Sequence, residues 1–551
     1  MVALPPELGP LDLLRRARSG PAEYYARLLD SDNELLKVGA WAALLDREDI
    51  TPAQYPKVLE LARYGAIQAR AFRFFEGNWE HGLAAQVAEI SATTEAEADI
   101  LARRAELACD EAAGREAERV RFLATGRFET FVAMIGRADQ TGGWRTALPL
   151  AVDLLVLTPH QPIAADGLLR VLADARQAEL LTALLNFFRE CALHPYLITL
   201  YDAVSRLLAG DAAGCRKQLQ VVDAARPPRP DMLVRVRPYA LKLNAEALEK
   251  LGDYRGAYDG YAALNRLEDG SKPVNPDDYA RLVRDASAQA IPPLPPDPLT
   301  NHFVMCGFPR SGTTLLENAL AAHPQIETFE EIASFSSMQF YLGQHLAAAK
   351  TTEEVVEICQ VARGRYYDEA LRRSRKPGAN IFIDKMPMRS AEAGLMLKMF
   401  PEKRYVFSIR HPFDVVLSCF KQTFSRNMAM ENFRTIEGAV RLYDFTMTQW
   451  FAHHTMDDPR VHYLRYDDLV TDFEPSMQAA LHFLGLGWDD QVRDFANAAD
   501  NRFARTPSYQ KVRQGLKLGI QSSWRNYAFL FTQPSTKPLA KWAEFFGYPT
   551  K

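Results

Sequence analysis

Two kinds of hydrophobic pattern run along this chain. As far as about residue 290, apolar positions recur every three or four residues within long Ala, Leu, Glu and Arg segments, and strand-like runs are few. That spacing lays apolar side chains along one stripe of a helix, so it predicts an all-α region. Beyond residue 300 the pattern becomes short apolar runs separated by helical stretches. HFVMCGF (302–308), NIFIDK (380–385), RYVFSIR (404–410) and VHYLRY (461–466) are rich in β-branched and aromatic residues and run into polar ones. Parallel strands buried on both faces read this way, and with helices between them they predict a doubly wound α/β domain with a central parallel sheet. Between the two patterns lies IPPLPPDPLT, with five prolines from Pro292 to Pro298, a composition that forbids helix and favours a stiff extended linker. The predicted organisation is a helical region over 1–290, a linker over 291–300 and an α/β domain over 301–551.

A weak repeat runs through the helical part. Residues 142–162 and 250–270 each hold a turn glycine, then an aromatic (Trp144, Tyr254), an Ala three further on (Ala147, Ala257) and a small or aromatic residue four after that (Ala151, Tyr261). Residues 77–90 and 210–225 are poorer copies. The pattern resembles the second helix of tetratricopeptide (TPR) repeats, where a small residue lets paired helices approach and an aromatic fills the groove between them. An irregular helical bundle is the plainer alternative. A TPR-like region implies a possible protein partner.

Composition narrows the function. The chain is 48% apolar and 24% charged with net charge −4, which argues against a general nucleic-acid binder needing a basic face. The start, MVALPPELGPLDLLRR, lacks the basic lead and apolar core of a signal peptide. No run approaches the roughly 20 apolar residues of a transmembrane segment. A cytoplasmic location is therefore expected. Six scattered cysteines without CxxC or zinc spacing predict small buried residues rather than a metal site.

The chemistry concentrates at CGFPRSGTTLLENALAAHP, 306–324. Gly307 and Gly312 bracket four residues ahead of an apolar helical run, the outline of a phosphate loop, but the lysine of such loops is replaced by Thr313. Backbone N–H groups around Ser311 to Thr314 and the positive helix end would cradle an anion. In an open α/β sheet ligands bind at the carboxyl ends of the strands, where Arg310, Lys385, Arg410 and Tyr466 are expected. Without the loop lysine, the charge must come from Arg310 and Lys385. That suits a sulfuryl group, which bears one negative charge and needs no metal.

GFPRSGTTLLENALAAHP followed by FEE resembles the 5′-phosphosulfate loop of sulfotransferases that use 3′-phosphoadenosine 5′-phosphosulfate (PAPS), the tyrosylprotein sulfotransferases above all. The resemblance covers about Phe303 to Tyr548. It implies that Arg310, Ser311, Gly312, Thr313 and Thr314 grip the 5′-phosphosulfate and that Arg410 and Ser418, in RHPFDVVLS, bind the 3′-phosphate. It also implies Tyr466, in RYDDLV, at the nucleotide. Ser508 and Arg513 belong to a late loop over the cofactor, with Ser508 at the position of a transition-state serine and Trp524 at that of a tryptophan. His411, Gln422 and Ser523 depart from the family pattern, and His411 is given no role. Independently, eight Lys or Arg and no Asp or Glu lie between Arg502 and Lys541, as an anion lid or a solvated face.

Sulfuryl transfer to a hydroxyl needs a group to take the proton, positive charge at the leaving oxygen and a fixed donor. The resemblance implies Glu331 as base, with Glu330 a near rival, and Lys385 at the leaving oxygen beside Arg310 and Ser508. The plainer readings are a surface glutamate at a helix start and a Lys385–Asp384 salt bridge. Histidines 323, 453 and 454 are alternative bases, although His323-Pro324 fits a helix end. The rivals are an ATP- and Mg²⁺-dependent phosphotransferase, with IFID (381–384) as its metal-holding strand, and a TPR binding protein with a decayed enzyme domain. The expected acceptor bears a hydroxyl on a peptide or protein, glycan, lipid or small phenol.

Overall fold

The computed structural model describes residues 2–108, 110–224, 230–267, 275–297, 299–495 and 522–550. The chain forms two compact units, Met1–Asp253 and Tyr254–Lys551.

The first unit is helical among its described residues, with consecutive helices paired, as in Glu95–Ala108 with Glu111–Thr125 and Pro195–Leu208 with Ala212–Ala224. Local signals place the ends. Asn33 Oδ1 accepts from the amides of Leu35 and Leu36, the Asp110 side chain accepts from Ala113 N, and Gly126 ends its helix at φ 62°. These caps satisfy amides and carbonyls that a helix end leaves open. Ala147 and Ala151, two of the small repeat positions, are 0% and 1% exposed on helix Trp144–Leu157. No described helix is long and apolar enough to cross a membrane.

The second unit contains a five-stranded parallel sheet: β1 (His302–Cys306), β2 (Ile326–Glu330), β3 (Ile381–Lys385), β4 (Tyr405–Ile409) and β5 (Val461–Arg465), in the order β2-β3-β1-β4-β5. Four of these are the runs read from sequence. β1 and β4 are buried throughout, as central strands must be. β2 was not foreseen, because IETFE is an edge strand with only Ile326 and Phe329 buried. The helices used below are α1 (Tyr254–Arg266), α2 (Thr313–Ala322), α3 (Thr352–Leu371), α4 (Pro412–Phe420) and α5 (Tyr466–Thr471). Phe303, Met305, Leu316, Leu320, Ile383 and Val406 share the core between α2 and the sheet, each worth about 1.5–3 kcal/mol when removed from water.

The second unit extends upstream of the proline-rich segment. From α1, Asn265 Nδ2 donates to Phe420 O at the end of α4 (2.9 Å), and the Tyr258 ring stacks on Phe420. Within the proline-rich segment, Pro295 O accepts from Arg363 on α3 (2.7 Å). Asp297 pairs with Lys403 at 2.8 Å, both side chains almost fully buried, and also accepts from the Tyr367 hydroxyl. The five described cysteines, 191, 215, 306, 359 and 419, are all free and buried.

Candidate active site

The loop after β1 owes its shape to its glycines. Gly307 has φ 154°, and a Cβ there would lie 2.6 Å from Ser408 O; Gly312 has φ 100°, and its Cβ would meet the Tyr466 ring at 2.5 Å. Neighbouring strands hold the loop in place. Ser408 Oγ donates to Ser311 O (2.9 Å), Gly307 N to Pro387 O (3.1 Å) and Ser390 Oγ to Gly307 O. α2 begins at Thr313, so its first amides and dipole face the loop, an arrangement suited to an anion.

Residues named from sequence converge here. Arg310 Nε donates to Ser418 Oγ on α4 (3.1 Å), and Arg410 Nη1 donates to Arg310 O (3.1 Å). The Arg410 guanidinium lies 4.7 Å from the centre of the Tyr466 ring, the ring that packs on Gly312. One connected patch therefore joins Arg310, Gly312, Arg410, Ser418 and Tyr466 at the carboxyl ends of β1, β4 and β5. Burial, helped by Arg410, pulls the Arg310 guanidinium below its ordinary range, the position of a cation held ready for a negative ligand.

A second patch forms where β2 and β3 end. Glu330 pairs in register with Lys385, and Lys385 Nζ donates to Glu330 Oε1 and Glu331 Oε1 at 3.1 Å each. Glu317 Oε2, from α2, lies 3.2 Å from the same ammonium. Burial alone would lower the Lys385 pKa, but Glu317, Glu331 and Glu330 outweigh it and raise it. Glu331 sits at φ 50°, its amide donating to Lys385 O at 2.8 Å. Arg310 (φ 71°) and Glu331 are the non-glycine residues with left-handed φ among the described residues of the second unit. Such backbone strain gathers where function fixes geometry.

The two patches meet in a cleft of about 330 Å³. Arg310, Thr313, Thr314 and Glu331 line it, with apolar wall from Met388 and Phe424. Glu331 lines this cleft and Glu330 does not.

The structure corrects several sequence readings. Glu331 is not at a helix start; it follows the end of β2. Lys385 pairs with three glutamates rather than Asp384. Asp384 is fully buried, and its Oδ2 accepts from Ser334 Oγ (2.8 Å) and Tyr366 OH (2.7 Å). His323 ends α2 with Nδ1 accepting from Gln325 N, and His454 pairs with Asp458. His411, left without a role, caps α4 by accepting from Phe413 N and bonds Pro549 O through Nε2 at 2.9 Å. Ser523 and the Trp524 amide both donate to Asp414 Oδ1 at 3.0 Å, and Trp524 is buried. Ser508 and Arg513 lie outside the described residues. Glu317 was missed; a lone glutamate one turn into the apolar helix TTLLENALAA was the available signal.

Sheet, loop and patches define an α/β domain with a P-loop-type anion cradle. Residues 303–490 match a family model described as the sulfotransferase family, which marks that segment as a sulfotransferase domain. It is 27% identical over 202 residues to the protein-tyrosine sulfotransferase 1 of Danio rerio, covering 34% of this chain and 53% of that protein. It is 24% identical over 203 residues to the protein-tyrosine sulfotransferase 2 of Gallus gallus, with 34% and 51% covered. An uncharacterised protein of Aquifex aeolicus (strain VF5) is 24% identical over 242 residues, 42% of this chain and 31% of that one. The chain thus spans about half or less of the length of these curated relatives. The sulfotransferase domain from the Synechococcus PCC 7002 olefin synthase aligns over 48% of this chain and 98% of its own, at 16% identity and TM-score 0.32.

Proposed function

We propose that this protein transfers the sulfuryl group of PAPS to an acceptor hydroxyl, in the cytoplasm. The observation that carries this reading is one cleft lined both by an anion loop lacking its lysine and by Glu331, whose carboxylate accepts from the buried Lys385. The donor supplies an activated sulfuryl group. The Ser311 to Thr314 amides and Arg310 hold the 5′ end, while Arg410 and Ser418 hold the 3′-phosphate and Tyr466 lies against the nucleotide. Glu331, the glutamate exposed to the cleft, takes the acceptor proton. Lys385 turns from its carboxylates to neutralise charge on the leaving oxygen, a large part of catalysis in such transfers. Ser508 and Arg513 complete the donor site from the late loop. The printed names of two relatives favour a tyrosyl acceptor, and a TPR-like first unit would present the peptide.

The phosphotransferase reading is disfavoured because Asp384, its metal ligand, bonds Ser334 and Tyr366 inside the core. The test is thermal stabilisation by 3′-phosphoadenosine 5′-phosphate (PAP) beside ATP with Mg²⁺, with and without EDTA. Ligands of the native state raise its stability as RT ln(1 + [L]/Kd). A shift with PAP that survives EDTA is expected; a shift with ATP and Mg²⁺ alone would replace this reading with a kinase.

A further inference from the structure

Glu317 is a buried carboxylate to which the proposed reaction gives no task. It lies four residues beyond Thr313 on α2, 5% exposed. Three carboxylates thus face one ammonium, itself 0% exposed, at 3.1 to 3.2 Å. Like charges this close cannot all ionise beside a single cation, so one carboxyl holds a proton. Access to water selects it: side-chain exposure is 6% for Glu317, 16% for Glu330 and 37% for Glu331. Hydrogen bonding agrees. Lys385 aims its N–H groups at Glu330 and Glu331, whereas Glu317 Oε2 has the short contact without hydrogen-bond geometry. Burial, opposed by Lys385 and reinforced by Glu330 and Glu331, pushes the Glu317 carboxyl up to about 7. The other elements packed on α2, namely β1, the helix Phe473–Phe483 and the turn Asp490–Val492, share its apolar core through Phe303, Met477 and Val492.

We propose that Glu317 is a positioning residue that sets where Lys385 points: neutral, it releases the ammonium toward the leaving phosphate oxygen, and ionised, it holds the ammonium against α2. This rests on the reading that Lys385 serves that oxygen. In the step concerned, the acceptor oxygen bonds to sulfur as the bond from sulfur to the bridging oxygen breaks. The electron pair of that bond passes to the 5′-phosphate, and the acceptor proton goes to Glu331. Glu317 exchanges its proton with solvent beforehand.

PAP presents the same 5′-phosphate, so the test needs no acceptor. Calorimetric titration of the full chain with PAP at pH 6 and pH 8, in buffers of different ionisation enthalpy, gives affinity and proton uptake together. The competent fraction of a group titrating near 7 falls about tenfold between these pH values, and apparent affinity falls with it. Wild type should lose about tenfold more affinity than Glu317→Gln and take up close to one proton at pH 8, which the variant should not. Equal pH dependence in the two proteins, with PAP still bound, would overturn the role of Glu317 and leave the proposed function standing. Failure to bind PAP at all would remove both. Should Glu317→Gln fail to fold, wild-type proton uptake at pH 8 decides: near one supports the proposal, none overturns it.

Discussion

Replacing Lys385 with Met tests the electrostatics of the cleft without reference to catalysis. Methionine nearly fills the same volume and deletes the charge, leaving Glu317, Glu330 and Glu331 facing one another. At an effective dielectric of about 20, a unit-charge contact at 3.1 Å is worth roughly 5 kcal/mol before desolvation is subtracted. Measured losses on breaking a buried pair are about 3–5 kcal/mol. For a unit of this size that corresponds to a Tm lowered by roughly 6–20 °C. The pH dependence follows from proton counts. Without the ammonium, burial and repulsion from Glu330 and Glu331 act on Glu317 unopposed and raise its folded pKa further above the unfolded one. The native state then binds more protons, so stability falls as pH rises from about 4.5 upward. Scanning calorimetry at pH 5 and pH 8 should show the full loss at pH 8 and a much smaller one at pH 5. Adding Glu317→Gln should recover part of the pH 8 loss, since the second change removes a repulsion the first created. Equal losses at both pH values, or strict additivity of the two substitutions, would refute the three-carboxylate account.

Gly312→Ala should lower stability by about 1–2 kcal/mol from the left-handed backbone alone and weaken PAP binding further, because its Cβ displaces Tyr466; thermal shift with and without PAP separates the two effects. Arg410→Ala should weaken PAP binding at least tenfold in titration calorimetry, while Ser418→Ala, which removes one partner of Arg310, should weaken it less. Glu331→Gln should lower turnover with PAPS and a tyrosine-bearing peptide far more than it changes PAP affinity, and retained turnover would exclude Glu331 as base. Asp414→Ala removes the acceptor for Ser523 Oγ and Trp524 N and should lower stability by about 1–3 kcal/mol in calorimetry, without altering proton uptake on PAP binding.

The legibility of the fold from sequence depended on burial. β1, β3, β4 and β5 announced themselves because apolar runs of five are conspicuous beside helical spacing. β2 did not, because an edge strand with two buried positions and two glutamates, Glu327 and Glu330, looks like loop. The anion loop was readable because glycines and an absent lysine are local facts. Arg410 and Tyr466 could be placed at strand ends, Ser418 was reached only through the family resemblance, and the structure sets all three in one contact chain with Arg310. Glu317 was hidden for a different reason. Only the parallel pairing of β2 with β3, in register at Glu330 and Lys385, brings three glutamates from two separate segments onto one lysine. That Asp384, at the end of β3, bonds Tyr366 through Oδ2 could not be read from sequence, because it depends on which helix packs over that strand end.

The Asp297–Lys403 pair also fixes where this protein can be cut. The family match begins at Phe303, which invites a fragment starting there. Such a fragment discards Asp297 and strands the ammonium of Lys403, 1% exposed, without its counter-ion, a loss comparable to other broken buried pairs, about 3–5 kcal/mol. It also discards Asn265, which closes the end of the helix bearing Ser418. A fragment starting just ahead of Tyr254 retains both, so the piece to express is some fifty residues longer than homology suggests.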